Sequence, residues 1–147
     1  MASLKIPKIK VKNSDIIKLQ FFNDFPDGNL TIGQVGKEIP FAIKRFYYIN
    51  NLFNNNAVRG KHAHRKTEQY IFCLNGKFRL ELDDGKNKQS FTMNNSGWGV
   101  QLGKMLWHNM KDFSHDCVIL VVANDYYKKE DYVRNYQEFL KLVKKSK

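Results

Sequence analysis

Short apolar stretches separated by turn signals fill most of the chain, and this alternation constrains the fold more than any other feature. The clearest example is "KFRLELDDGKNKQSFTM" (77–93), in which Phe78, Leu80 and Leu82 alternate with polar residues before the segment "DDGK". Alternation with a period of two is typical of a strand that buries one face. A glycine-containing turn between two such runs predicts a β-hairpin.

Only the end of the chain shows helical periodicity. Further strands are predicted around "IKLQFF" and "NLTIGQV", and at residues 39–49, 68–76, 97–102 and 116–123. Beyond them, apolar residues recur at spacings of three and four, which predicts a helix over 125–147 with Asn124 or Asp125 as its cap. Many short strands followed by one helix indicate an all-β protein, a small antiparallel barrel or jelly roll with a C-terminal α-helix.

The size and composition of the chain fit one domain over residues 1–147. Domains commonly contain ~100–200 residues, and the 42% of apolar residues is enough for a proper core. The longest apolar run, 118–123, is far shorter than the ~20 residues of a membrane span, and the N-terminus lacks the apolar segment of a secretory signal. Cys73 and Cys117 form no close-spaced motif and are interpreted as buried free thiols. We therefore expect a cytoplasmic protein with no membrane partner.

The net charge of +11 raises the question of an anionic partner. Lysines are concentrated at the two ends of the chain, and no arginine-rich stripe is interleaved with aromatic residues as a nucleic-acid groove would favour. We therefore expect no nucleic-acid partner. Most of this charge is interpreted as solvated surface, with a minor role in steering an anionic small molecule.

The segment "RGKHAHRKTEQYIFCLNGK" (59–77) carries the first candidate functional residues. His62 and His64 are two residues apart, so in a strand their side chains point to the same face and can reach one ligand. Two adjacent imidazoles in a partly dry pocket lower each other's pKa, so at least one stays neutral and can act as a base. With Glu68 and His108 the pair could instead hold a transition metal. From the residues alone, both interpretations stay open.

Several segments in order resemble the cupins and, within them, the sugar-nucleotide 3,4-ketoisomerases that act on dTDP-4-keto-6-deoxyglucose. "HAH" followed by Glu68 and Gly76 resembles the first cupin motif, and "GWGVQLGKMLWHN" (97–109), which contains His108, resembles the second. The segments closest to the ketoisomerases cover about residues 39–139: "IPFAIKRFYYI", "RGKHAH", "LDDG", "LWHNMKDFSHDCVILVVANDYY" and "EDYVRNYQEF".

The resemblance implies an isomerase that moves a carbonyl from C4 to C3 of the sugar through an enediol or enediolate, without a metal or another cofactor. It implies that His62 and His64 are the catalytic pair. We assign His64 as the base that removes the C3 proton and His62 as its helper in proton transfer. Tyr48 is our candidate for the second acid, and Tyr47, which points to the opposite face of the strand, competes for that role.

The resemblance also suggests which residues contact the substrate. The planar fork of Arg59 suits a diphosphate, and Gly60 beside it allows close approach of a ligand. The remaining predicted substrate contacts are His108, Tyr47, Trp107 and Gln101. The resemblance also implies a homodimer, since proteins of this kind often exchange N-terminal strands between two copies, and residues 1–20 suit such an arm. Their products supply amino sugars for bacterial surface polysaccharides, such as lipopolysaccharide O-antigen, or for S-layer glycans.

Three alternatives remain open at this point. The chain could be a metal-dependent cupin enzyme that uses Glu68 and the histidines as ligands. It could be a dTDP-sugar 3,5-epimerase, which uses the same type of barrel. It could also be a binder of a nucleotide sugar or of nucleic acid without enzymatic activity, which only the charge suggests.

Overall fold

The computed structural model describes residues 5–146, and strands dominate it. The strands are β1 (Ile16–Lys18), β2 (Gln20–Asn23), β3 (Asn29–Ile32), β4 (Arg45–Ile49), β5 (Arg59–His64), β6 (Gln69–Asn75), β7 (Phe78–Asp83), β8 (Lys88–Met93), β9 (Trp98–Leu102), β10 (Trp107–Lys111), β11 (Val118–Ala123) and β12 (Tyr132–Val133). A short 3₁₀ turn covers Lys129–Asp131, and helix α1 covers Tyr136–Lys145.

Two five-stranded antiparallel sheets face each other and enclose the core. Sheet one has the strand order β1-β9-β6-β11-β4, and sheet two has the order β12-β5-β10-β7-β8. Ile71 and Val121 of sheet one belong to the same buried cluster as Leu80 and Met93 of sheet two. The predicted all-β fold with a C-terminal helix is confirmed, in the form of a jelly-roll sandwich whose sheets are not closed into a barrel.

The hairpin predicted over 77–93 is present with the expected faces. Phe78, Leu80 and Leu82 are buried, and β7 pairs with β8 in register. At the turn, the Gly85 amide donates to Asp83 Oδ1 at 2.7 Å, and the amides of Lys86 and Asn87 donate to Asp84 Oδ1. The two aspartates therefore serve as turn-forming acceptors.

The first third of the chain differs in detail from the prediction. The strand expected over 39–49 is limited to β4, although Ile39 before it is buried. β2 and β3 form a separate hairpin, and β1 pairs with β9 of the same chain. The predicted exchange of residues 1–20 with a second copy stays a prediction, and residues 1–4 lie outside the described residues.

Helix α1 is shorter than predicted, and residues 125–135 are not part of it. Asn135 is the cap, because its side-chain oxygen accepts from the Glu138 amide at 2.9 Å. The segment before it pairs with β5 through β12 and buries Val133 completely. Pairing at a sheet edge and burial of Val133 therefore outweigh the helical spacing of the apolar residues.

Two predictions from composition can be compared with this structure. Cys73 and Cys117 are free and buried, as expected. Between residues 5 and 146, none of the helices has the length and apolar character needed to cross a bilayer. The cytoplasmic location stays a prediction.

Candidate active site

A cavity of about 500 Å³ opens between the two sheets at one end of the sandwich. Four strands bring polar side chains to it: β4, β5, β10 and β12. The polar residues that matter most for its chemistry are Arg45, Tyr47, Arg59, His62, His108 and Tyr132.

Three histidines meet beside this cavity. The ring centres of His62 and His64 are 5.0 Å apart, and those of His62 and His108 are 4.7 Å apart. The antiparallel register explains the third member, because β10 places His108 directly opposite His62 on β5. The sequence therefore predicted the pair and the additional histidine correctly as neighbours.

His62 has a free nitrogen and lines the cavity. Its Nδ1 donates to the Gly60 carbonyl at 2.9 Å, so Nε2 carries a lone pair, and Nε2 is buried without a partner among residues 5–146. Burial, and then the neighbouring His64, lower the pKa of His62 to about 4. His62 is therefore neutral at pH 7 and has the lone pair that a general base requires.

His64 differs because both of its nitrogens are engaged. Nδ1 lies 3.0 Å from Asp131 Oδ2, and Nε2 lies 2.7 Å from Gln69 Nε2. Burial lowers the pKa of His64, while the hydrogen bond and charge of Asp131 act in the opposite direction. A side chain held at both nitrogens is positioned firmly but has no free lone pair for a substrate.

His108 is fully buried behind His62. Its Nδ1 donates to the Leu106 carbonyl at 3.2 Å. Burial, followed by the proximity of His62 and His64, lowers the pKa of His108 well below its usual value. The cluster therefore consists of neutral imidazoles at pH 7.

The cluster does not match the metal site considered from the sequence. The nearest nitrogens of the three histidines lie within 4.8 Å of one another, but Glu68 does not belong to the group. The Glu68 amide is instead bonded to Asn124 at 3.0 Å. His64 has no lone pair to offer, because Nδ1 donates to Asp131 and Nε2 accepts from Gln69. As arranged, these residues do not fit a cupin metal centre.

The two candidate tyrosines lie on opposite faces of β4. Tyr47 faces the cavity, and its hydroxyl donates to Gln69 Oε1 at 2.7 Å. Burial raises the pKa of Tyr47 above its usual range. Tyr48 is 62% exposed on the outer face of sheet one. The assignment of Tyr48 as second acid therefore needs correction, because strand alternation turns its hydroxyl away from the histidines.

Trp107 and Gln101 are also directed away from the cavity. Trp107 lies on the other face of β10 from His108 and packs against Tyr136 and Phe139 of α1. Gln101 is opposite Tyr70 on β6, between the buried residues Val100 and Leu102. Alternation along each strand places both side chains outside the sandwich. They do not lie among the residues that line the cavity.

Gly60 lines the cavity, but its conformation has another cause. Its φ is +84°, and a Cβ at this position would lie 2.7 Å from the His108 carbonyl oxygen. The β5–β10 register shifts at this point, between His108 and Asn109. The close approach that Gly60 permits is therefore that of strand β10, rather than only that of a ligand.

Two arginines supply positive charge. Arg59 is exposed at the rim of the cavity. Arg45, which the sequence analysis did not single out, is half-buried, and its buried Nε and Nη2 have no partner in the part of the chain that the structure describes. Its guanidinium lies 5.9 Å from the ring of Tyr127. An arginine with unpaired buried donors is ready to bind an anion.

The segment before α1 supplies residues that the sequence interpretation placed inside a helix. Asp131 reaches His64, and the Tyr132 ring centre lies 4.9 Å from that of His62. Arg134 sits over the Tyr132 ring at 4.4 Å and lines the cavity. The charged and aromatic composition of "EDYVRNY" was the available signal, but only the pairing of β12 with β5 shows where these side chains lie.

A larger groove of about 740 Å³ lies on the outer face of sheet two, beside α1. Trp107, Tyr136 and Lys88 line it, and none of the three clustered histidines does. We place the candidate site in the smaller cavity, because the neutral base, the phenol and the unpaired guanidinium meet there.

A jelly-roll sandwich with neutral imidazoles, a tyrosine and arginines gathered at one end of its core defines a cupin-like protein with an acid/base pocket. Comparison with known proteins supports this class. The family model described as "FdtA: WxcM-like, C-terminal" matches residues 12–144, and the chain belongs to this family.

Similar proteins with named activities come from several bacteria. The chain is 46% identical over 118 residues to the TDP-4-oxo-6-deoxy-alpha-D-glucose-3,4-oxoisomerase of Aneurinibacillus thermoaerophilus, which covers 80% of this chain and 84% of the relative. It resembles a histidine-to-asparagine variant of the 3,4-ketoisomerase QdtA from Thermoanaerobacterium thermosaccharolyticum in complex with TDP-4-keto-6-deoxyglucose. The TM-score is 0.88 at 34% identity, over 92% of this chain and 97% of the other.

A third relative is the WlaRB TDP-quinovose 3,4-ketoisomerase of Campylobacter jejuni. Its structure matches with a TM-score of 0.82 at 40% identity, over 89% of this chain and 99% of the other. The resemblance to the 3,4-ketoisomerases that the sequence motifs indicated is thereby confirmed.

Proposed function

We propose that this chain is a sugar-nucleotide 3,4-ketoisomerase that converts dTDP-4-keto-6-deoxyglucose to a dTDP-3-keto-6-deoxyhexose. The observation that carries the proposal is the unpartnered Nε2 of His62, a neutral base aimed into a cavity that also holds Tyr47 and Arg45. The ketoisomerases among its relatives support it.

In this reaction His62 removes the proton on C3, and the electron pair of the broken C–H bond forms the C3–C4 double bond of an enediolate. The negative charge develops on the C4 oxygen, where a hydrogen-bond donor stabilises it. A proton is then added to C4, and loss of the O3 proton leaves the carbonyl at C3. The reaction needs a base, an acid and a donor to oxygen, and it leaves the redox state of the substrate as a whole unchanged.

We exchange the roles assigned to the two histidines from the sequence. His62 becomes the base, because it alone of the pair has a free lone pair and lines the cavity. His64 acts as a positioning residue through its hydrogen bonds to Asp131 and Gln69. Tyr47 replaces Tyr48 as the candidate acid, since burial keeps its phenol protonated and the side chain faces the cavity.

Arg45 and Arg59 are proposed to bind the anionic part of the substrate. The diphosphate carries charges that suit the planar guanidinium fork. Arg45 lies deeper and has unpaired donors, whereas Arg59 at the rim is exposed to solvent. The deeper arginine is therefore expected to contribute more to binding.

One experiment tests the reaction directly. The protein is incubated with dTDP-4-keto-6-deoxyglucose in deuterated water, with and without a strong chelator, and the product is analysed by NMR. We expect a 3-keto sugar with deuterium at C4 in both arms. Deuterium at C5 would indicate a 3,5-epimerase, loss of activity with chelator would indicate a metal enzyme, and binding without turnover would indicate a nucleotide-sugar binder.

We also propose that the chain forms a homodimer through the outer face of sheet one. Phe46 and Tyr48 on β4 and Leu74 on β6 are exposed on this face. Three large apolar side chains on one sheet face suit contact with a second copy better than contact with water.

The dimer can be tested by sedimentation velocity. The wild type is expected to sediment as a dimer and Phe46→Lys as a monomer, because a buried unpaired charge would oppose association. Phe53→Lys is the matched control, since Phe53 is as exposed as Phe46 but lies in the loop before β5. A monomeric wild type would refute the proposal.

A further inference from the structure

Three buried side chains and the half-buried Tyr47 form one continuous chain of hydrogen bonds beside the catalytic cavity. Asp131 Oδ2 lies 3.0 Å from His64 Nδ1, and His64 Nε2 lies 2.7 Å from Gln69 Nε2. At the far end, the Tyr47 hydroxyl lies 2.7 Å from Gln69 Oε1. Gln69 is fully buried, so water cannot substitute for either partner.

Asp131 is well placed to fix one end of this chain. Its other oxygen, Oδ1, accepts from the Lys66 amide at 2.7 Å. Burial alone would raise the pKa of Asp131, but hydrogen bonds from Thr67, Lys66 and His64 lower that pKa below its usual value. The carboxylate therefore stays ionised and can only accept, so His64 Nδ1 must be the donor to it.

The donor and acceptor roles then follow along the whole chain. With its proton on Nδ1, a neutral His64 presents a lone pair at Nε2 and accepts from the Gln69 NH₂ group. The Gln69 carbonyl oxygen therefore faces Tyr47 and accepts its O–H. In this arrangement the phenol presents lone pairs to the cavity and cannot donate to a sugar oxygen.

We propose that Gln69 is a positioning residue that couples His64 to Tyr47. In the first arrangement the amide donates to an unprotonated Nε2 of His64 and accepts the O–H of Tyr47. In the second, Nε2 is protonated and the Tyr47 O–H is free to face the sugar. The second arrangement requires the amide to rotate by half a turn, so that its oxygen accepts from His64 and its NH₂ donates to the Tyr47 oxygen.

This inference rests on the proposed ketoisomerase function and deepens it. The C4 oxygen is a ketone at the start and a hydroxyl at the end, whereas the C3 oxygen changes in the reverse direction. A phenol that can switch between acceptor and donor serves both oxygens in turn. Because the amide links the two groups, a sugar oxygen that accepts from Tyr47 also favours a proton on His64 Nε2, by thermodynamic reciprocity.

Charged and titratable groups on several elements surround His64, and they also influence its protonation. Those that face it are Asp131 on the 3₁₀ turn, Tyr132 on β12, His62 on β5, His108 on β10 and Arg45 on β4, together with Arg134 after β12. A substitution at Gln69 leaves all of these residues in the sequence, so it tests the contribution of the amide by itself.

Gln69→Glu and Gln69→Leu test the coupling from two sides. A glutamate has nearly the same shape but only accepts, so it should place a proton on His64 Nε2 and hold the Tyr47 O–H permanently. A leucine should leave Nε2 and the phenol without a shared partner. We expect kcat to fall about 100-fold in both variants while KM for the sugar nucleotide stays within about threefold.

The decisive readout is the protonation of His64, measured by two-bond ¹H–¹⁵N NMR on the substrate-free protein. Wild type should show the neutral tautomer with the proton on Nδ1, and Gln69→Glu should show protons on both nitrogens. Gln137→Glu is the matched control, since Gln137 is exposed on α1 and the substitution should change neither the spectrum nor kcat. A neutral His64 in Gln69→Glu, or near wild-type kcat in both variants, would overturn the inference.

Two safeguards keep the result interpretable. If Gln69→Glu fails to fold, Tyr47→Phe removes the donor to the amide oxygen, so the amide can rotate and accept a proton from His64 Nε2. The NMR titration of His64 should then have its midpoint at a higher pH than in wild type, and an unchanged midpoint would refute the coupling. The NMR readout needs no turnover. A wild type without isomerase activity would therefore refute the proposed function, whereas an active wild type with an unchanged His64 spectrum in the variants would refute the coupling alone.

Discussion

His62→Asn should reduce kcat by about 1000-fold while the protein still binds TDP. The substitution removes an imidazole lone pair that lies at the cavity without a partner among the described residues, and asparagine cannot serve as a base. The base acts on the sugar, away from the nucleotide, so the affinity for TDP should be nearly unchanged. Steady-state kinetics with dTDP-4-keto-6-deoxyglucose and calorimetric titration with TDP measure the two quantities.

The comparison of His62→Asn with His64→Asn decides between the two assignments of the base. His64 acts through its neighbours in our proposal, so its replacement should impair kcat less than that of His62. His115→Asn is the control, since His115 is exposed in a loop, where its Nε2 lies 3.1 Å from Asn55 Oδ1. Near wild-type turnover in His62→Asn, with loss in His64→Asn, would restore the assignment made from the sequence.

The acid limb of the pH profile gives a second check on the same residue. Burial lowers the pKa of His62 to about 4, so the free base persists well below the ordinary histidine range. As pH falls, kcat/KM should decline only when it approaches about 4, because protonation of His62 then removes the base. A decline centred near the ordinary histidine value of about 6.5 would contradict this assignment.

The strands could be predicted well because their signals are local. Alternation of Phe78, Leu80 and Leu82 predicts which face of β7 is buried, and "DDGK" predicts where the chain turns. The end of the chain could not be predicted in the same way. Tyr132 continues the helical spacing of Tyr136 and Phe139, but Tyr132 and Val133 pair with β5, about 70 residues earlier, and the sequence gives no local signal of that pairing.

The candidate site shows the same division. His62 and His64 share a face because they are two residues apart, and the motif was sufficient to find them. The choice between Tyr47 and Tyr48 depends on which face of β4 points inward, and the sequence "RFYYI" is aromatic on both faces. Gln69 and Asp131 have no motif of their own. They reach His64 from elements that come together only in the folded protein.

Arg45→Met should weaken TDP binding by roughly 30-fold or more, since removal of one member of a buried charged pair costs about 2 kcal/mol or more. The buried Nε and Nη2 atoms of the guanidinium have no partner among the described residues. A diphosphate can accept from both, and calorimetric titration with TDP measures the loss. Arg45→Lys should recover only part of the affinity, because an ammonium lacks the planar fork.

Arg45→Met should not lower the stability of the protein, and this result distinguishes a ligand-binding arginine from a structural one. A buried donor without a partner disfavours the folded protein, so methionine at position 45 should leave the thermal midpoint unchanged or raise it. Arg59→Met, at the exposed rim, should weaken binding less and in a manner sensitive to salt. Lys145→Met, at the end of α1, should change neither quantity. If Arg45→Met instead binds TDP normally and unfolds at a lower temperature, Arg45 supports the fold and the diphosphate must be held elsewhere.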